Sequence, residues 1–119
     1  MARYLLLLRD ADTFPDMSPE AMQAVLQRYI DWTHGLASRG RLVDASKLQD
    51  RTGRVLRPGS GGLSVTDGPF VEGKEIIGGY YVVSADSWDD AVGLASDCPH
   101  LELGSIEIRE LEQTGDEQS

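Results

Sequence analysis

Asp67, Glu72, Lys74 and Glu75 stand close together in the segment TDGPFVEGKEIIGGYYVV, directly before an apolar run. An acid at Asp67 could bind a polar molecule or accept a proton. The same residue before Gly68-Pro69 also suits an Asx-turn, in which its side chain bonds a backbone N–H and shapes the bend. Lys74 and Glu75 open a strand, and strand neighbours point to opposite faces. Glu75 should share a face with Ile77, Gly79 and Tyr81, and Lys74 with Ile76 and Tyr80. A charge approaching the inner side is costly unless paired or hydrogen-bonded. Lys74 therefore either clamps the turn by pairing with Asp67 or Glu72, or holds an anionic small molecule, or serves as a base once desolvation lowers its pKa. His100, in CPHLELG, is either a helix-end residue favoured by the dipole or an acid–base group facing a cleft. The candidate catalytic set is Asp67, Lys74, Glu75 and His100, with Tyr81 as a wall residue.

Other chemistries find little footing. His34 and His100 are isolated and give no metal-ligand spacing. GSGG at 59–62 lacks the lysine and helix of a phosphate loop, and no cofactor motif is visible. Cys98 reads as a small buried filler, because a helix-end setting works against a thiolate.

The chain of 119 residues fits one domain with one core, at 40% hydrophobic and 26% charged residues. Its net charge of −9 disfavours nucleic acid, whose binding begins with cations on phosphates. One cysteine makes no internal disulfide. The leucine run in MARYLLLLRD is too short for a signal-peptide core or a membrane span. A cytoplasmic location is the default expectation.

The elements that must position the candidates follow from periodicity. RYLLLLR (3–9) reads as a central strand, with Tyr4, Leu6 and Leu8 on one face and Leu5 and Leu7 on the other. Residues 10–17 read as a loop. Ser18-Pro19 starts a helix whose apolar positions are Met22, Val25, Leu26, Tyr29, Thr33 and Leu36, ended by Gly40. A strand is expected at 41–48, a hairpin or loop at 49–62, and a short strand at 63–66. The long strand from Glu75 to Val83 carries Gly78-Gly79, which signals a bulge or a close backbone approach. Asp86 is placed as the cap of a second helix, with Trp88, Ala91, Val92, Ala95 and Cys98 inward. The last strand is 104–111, in a domain spanning 1–111 with a polar tail at 112–119.

The order β–α–β, hairpin, β–α–β is the ferredoxin-like α+β arrangement, with an antiparallel sheet and both helices on one face. The Leu5/Leu7 row then faces away from the helices. A homodimer packed sheet to sheet would cover it, in the manner of a dimeric α/β barrel, and would leave a cavity between sheets and loops.

The segment TDGPF, the acid after it, Lys74-Glu75 and the GGYY strand together resemble the DGPF-motif branch of the YCII-related domains. MSPEAMQAVLQRYIDWTHGL is similar to that branch's first helix, GRLVDASKL to its second strand and CPHLELGSIEIREL to its C-terminal element. The resemblance covers most of the chain and implies a dimeric ferredoxin-like fold. It also implies association with extracytoplasmic-function sigma factors, and hence a regulatory role as the alternative to catalysis. The wider group includes lyase chemistry on small molecules with a His–Asp pair. The histidine of that pair falls here at or near Tyr29. His34 lies a turn beyond and does not match, while Asp97-Cys98-Pro99 resembles the family's Asp-Pro element. The resemblance places the His100 loop near the cleft.

Overall fold

Alternation in the first strand carries two apolar rows, and the fold is organised around burying one of them. The computed structural model describes residues 1–11, 17–49, 53–67 and 75–113. Strand β1 (Ala2–Ala11) leads to helix α1 (Pro19–Ser38) and strand β2 (Leu42–Lys47). A hairpin follows, β3 (Arg54–Gly59) and β4 (Gly62–Asp67), then β5 (Glu75–Ala85), α2 (Trp88–Ser96), a 3-10 turn (Pro99–Glu102) and β6 (Gly104–Glu110). The four long-range strands make one antiparallel sheet in the order β2-β5-β1-β6. This is the ferredoxin-like α+β topology, with β3–β4 inserted as a separate two-stranded sheet.

Tyr4 and Leu6 pack with Trp32 and Leu36 of α1, Val83 and Ala85 of β5, and Ala91, Leu94 and Ala95 of α2. Both helices therefore cover the same face. On the other face Leu5 and Leu7 lie opposite Val82 and Tyr80, all of them half-buried, and neither helix packs there. Polar pairs flank this row: Arg9 with Glu107 at 3.0 Å, and the Tyr80 hydroxyl donating to Asp44 at 3.3 Å.

Helix α1 begins as its sequence dictates. The Ser18 hydroxyl accepts from the Ala21 N–H at 3.1 Å, and Pro19 needs no N–H partner at the first helical position. Gly40, at φ 70°, takes the left-handed conformation beyond the helix end. Four local expectations are corrected. The cap of α2 is Ser87, not Asp86: the Ser87 hydroxyl accepts from the Asp90 N–H, and the Asp90 carboxylate accepts from the Asp86 N–H in return. The inward stripe of α2 holds Leu94 in place of Val92, and Trp88 and Val92 are exposed. In α1 the buried stripe is Val25, Trp32 and Leu36, leaving Met22 and Leu26 exposed. Strand β1 also runs beyond residue 9, so Asp10 and Ala11 pair with Ile76 and Glu75 instead of starting a loop.

The glycine pair in β5 marks both a bulge and close contacts. Leu8 pairs with Gly79 and Arg9 with Ile77, so Gly78 is the extra residue. The alternation expected from Glu75 to Tyr81 is broken there, and Ile77 and Gly79 do not share a face. A Cβ on Gly79 would meet the Ser46 carbonyl oxygen at 3.0 Å.

Candidate functional site

Of the catalytic candidates, Asp67 and His100 lie on different elements, the hairpin and the 3-10 turn. Asp67 ends β4 on the exposed hairpin, with its side chain 88% accessible and paired with Arg54 at 3.4 Å. Lys74 and the turn before it, from Gly68, lie outside the described residues. Glu75 is placed by its backbone alone, opposite Ala11 and beside the Asp10–Ile76 pair. His100 is the candidate around which a constellation forms. It is 3% accessible, the buried charged or polar residue of the described core.

Three elements hold the His100 ring. The 3-10 turn brings it under the sheet edge between α1 and the ends of β1 and β6. Its Nε2 lies 2.9 Å from the Arg9 backbone carbonyl. A carbonyl only accepts, so Nε2 carries the hydrogen. The neutral ring then presents a lone pair at Nδ1, and the Tyr29 hydroxyl, 2.6 Å away, donates to it. On the Nε2 side, Asp10 Oδ1 is 3.6 Å away. The result is an Asp10–His100–Tyr29 array built from β1, the 3-10 turn and α1.

Two glycines make room for it. A Cβ on Gly78 would overlap the Asp10 carboxylate, coming within 2.9 Å of its Cγ. The bulge thus leaves the space that the Asp10 side chain occupies. A Cβ on Gly104 would run into the Arg9 carbonyl oxygen and reach 3.2 Å from His100 Nε2. The bare backbone at Gly104 lets β6 approach β1 where the His100 hydrogen bond is made.

A second chain of hydrogen bonds backs the first. Thr33, one turn beyond Tyr29, donates to the Tyr29 carbonyl at 2.7 Å. Its oxygen therefore accepts from the Tyr81 hydroxyl at 2.8 Å. The Tyr81 ring is held edge-on by Trp32 at 4.8 Å, and the Trp32 N–H donates to the Leu94 carbonyl at 3.2 Å. Tyr81 thus stands on the same chain of hydrogen bonds, with its proton committed to Thr33. Burial, reinforced by Cys98 and Asp10, pushes the Tyr29 phenol well above the ordinary phenol range. Burial likewise raises Tyr81. The Cys98 thiol is pushed up to about 11 by burial, with the His100 backbone N–H pulling the other way. It stays protonated and is packing, not a nucleophile.

The array is polar and unsymmetrical, with its central ring shielded from water, which suits proton transfer. Among the described residues no three potential metal ligands cluster, and no helix is long and apolar enough to cross a membrane. A shallow groove lies outside α1, lined by Arg28, Trp32, Asp97, Pro99, Leu101 and Glu102. It is bridged by the two-point ion pair of Arg28 with Glu102 and does not include the array. The resemblance puts His100 near a cleft and the lyase histidine at or near Tyr29, while the periodicity puts Asp10 in a loop and reads Tyr29 as a core position of the helix. The signal for Asp10 is the glycine pair at 78–79, whose predicted close approach is to this side chain.

Comparison with known proteins accords with this fold. The model of the YCII-related domain matches residues 2–114. An uncharacterised protein of Rhizobium meliloti (strain 1021) is 32% identical over 93 residues, which is 76% of this chain and 69% of that protein. Among solved structures, the chain is similar to 5-chloro-2-hydroxyhydroquinone dehydrochlorinase (TftG) of Burkholderia phenoliruptrix AC1100, determined with 2,5-dihydroxybenzoquinone. That similarity has a TM-score of 0.51 at 13% identity and covers 94% of this chain and 95% of the other.

Proposed function

This chain belongs to the YCII-related domain family, and we propose that it binds a small anionic organic molecule beside Asp10, His100 and Tyr29 and moves a proton on it. The observation that carries the reading is the buried His100 ring, fixed in one tautomer between a phenol donor and a backbone carbonyl with a carboxylate at hand. Proton transfer or elimination is the chemistry these groups perform without a further agent. Lys74 precedes Glu75, whose backbone adjoins the Asp10 end of β1, and supplies the cation for an anionic substrate. The half-buried Leu5/Leu7 face is covered by a second copy of the chain, sheet against sheet.

Thermal unfolding in the presence of candidate ligands tests this reading. The fold neighbour's ligand suggests 2,5-dihydroxybenzoquinone as one probe, beside small keto acids. A ligand of the folded state raises the melting temperature, by an amount set by its concentration over its Kd. The expected result is a rise for at least one probe, lost in Lys74→Met. No rise with any probe would count against the site. A rise without turnover would favour a binding module, the form in which a role beside sigma factors would be expected.

A further inference from the structure

We infer that Tyr29 is the catalytic residue that meets the substrate, and that His100 acts through it as a buried proton acceptor. The inference rests on the proton-transfer reading above and assigns its roles. His100 has no ring nitrogen to offer a substrate. Nε2–H is given to the Arg9 carbonyl, Nδ1 is taken by Tyr29, and the side chain is 4% accessible. Tyr81 donates to the Thr33 hydroxyl, which is no base, so it can pass no proton on. Cys98 is buried. Tyr29 is half-buried, and donating its one proton to Nδ1 leaves its oxygen able to accept another.

The step balances without a co-reactant. A proton leaves a carbon next to a carbonyl and joins Tyr29 Oη, while the proton already on Oη passes to His100 Nδ1. The substrate C–H and tyrosine O–H bonds break; a new O–H and a new N–H bond form. The electron pair of the C–H bond stays on the substrate as an enolate. His100 becomes an imidazolium, and its Nε2–H lies near Asp10, whose carboxylate opposes the new charge. The reverse relay returns a proton to the substrate. Burial holds Tyr29 as the neutral phenol, so the relay through His100 supplies the basicity that a standing phenolate would otherwise provide. The substrate class is a carbon acid, a small keto acid or the keto tautomer of a hydroxylated quinone, in which the C–H lost stands on a saturated carbon and the enolate is delocalised onto oxygen.

Two measurements on the full chain test the assignment. In ¹⁵N-histidine NMR of the wild type, His100 Nε2 should be pyrrole-like and Nδ1 pyridine-like, with the Nδ1 signal moving when Tyr29→Phe removes its donor. Enzyme-dependent deuterium uptake from D₂O into oxaloacetate and 2,5-dihydroxybenzoquinone should fall about 100-fold or more in Tyr29→Phe. His34→Gln, altering an exposed histidine away from the array, should keep the wild-type rate. Asp10→Asn should retain part of it. A proton on Nδ1 in the wild type would overturn the assignment. So would Tyr29→Phe exchanging at the wild-type rate, or Asp10→Asn losing all exchange while Tyr29→Phe keeps it. Absence of exchange by the wild type with both probes would instead remove the proton-transfer reading itself, and this assignment with it.

Discussion

Gly104→Ala places one methyl group where the account allows no room. The new Cβ would run into the Arg9 carbonyl oxygen, lie 3.1 Å from that carbonyl carbon and 3.2 Å from His100 Nε2. The first two neighbours are backbone, so a side-chain rotation cannot relieve the contact; β6 must move away from β1. Overpacking of this kind costs about 1–3 kcal/mol. Separation of the strands also breaks the His100 bond to Arg9, and an unsatisfied buried donor costs about 1–3 kcal/mol more. Replacing glycine in a strand returns about 0.5–1 kcal/mol through the unfolded chain. The net loss should be about 1–5 kcal/mol, out of a total of order 10 kcal/mol for a domain of this size. Urea unfolding of variant and wild type at equal protein concentration measures it, with the denaturant slope unchanged. ¹⁵N signals of His100 should shift in the same variant, since its Nε2 partner has moved. Stability within about 0.5 kcal/mol of wild type, the range of ordinary surface changes, would refute the reasoning that Gly104 sets the strand spacing at the site.

Other outcomes follow from the same structure. Gly93 lies in α2, and a methyl group added there would meet nothing within 4 Å, so Gly93→Ala should stabilise by about 1 kcal/mol through helix propensity, read as a higher urea midpoint. Ser87→Ala removes the hydroxyl that accepts from the Asp90 N–H and should cost about 1 kcal/mol in the same assay. The Asp90 carboxyl is held below the usual carboxylate range by the Asp86 N–H first and by Arg41 second. Its contribution is therefore present above the unfolded carboxylate value and lost as pH falls through the folded one; Asp90→Asn should flatten the acid limb of stability against pH. Cys98 has the opposite sign. Its thiol, raised from 9.0 to about 11, adds stability that is complete below pH 9 and lost as pH rises through about 11. Iodoacetamide should accordingly label Cys98 at pH 8 only when the chain is unfolded, as followed by mass spectrometry.

How far the residues alone disclose this structure depends on how local the deciding physics is. The strands, both helices and their one-sided packing follow from alternation in RYLLLL, the Ser18-Pro19 start and the Gly40 stop, which act within a few residues. The expected cap of α2 falls one residue early because Asp86 and Ser87 are both good caps. The choice rests on which of them extends next to the Asp90 N–H. The exposed face of α2 is misassigned from sequence because Val92 and Leu94 fit a short helix equally well. Only the sheet beneath decides between them. The hairpin is foreseeable, but its register, Leu56 opposite Val65 and Arg54 opposite Asp67, is a pairing that composition does not specify.

The site is legible in fragments. His100 stands out by its residue type, and Gly78-Gly79 by the close approach it signals. What the sequence conceals is that the approaching group is Asp10, which pairs with a residue 66 positions later, Ile76, across a bulged register. Tyr29 fits a core stripe, and the resemblance puts the lyase histidine at or near it, but its contact with His100 appears only when the 3-10 turn delivers Nδ1 to its hydroxyl. The charged turn that first suggests chemistry splits: Asp67 is engaged on the exposed hairpin, and the part played by Lys74 rests on the ligand experiments above.

The most direct test of the central claim is the rate of deuterium uptake into a carbon acid by wild type and by His100→Gln, with unfolding monitored in parallel. Glutamine keeps a polar side chain but cannot become an imidazolium. The expected result is a folded variant whose exchange rate is lower by about 100-fold or more. A folded His100→Gln that exchanges as fast as wild type would contradict the claim that the buried histidine carries the proton.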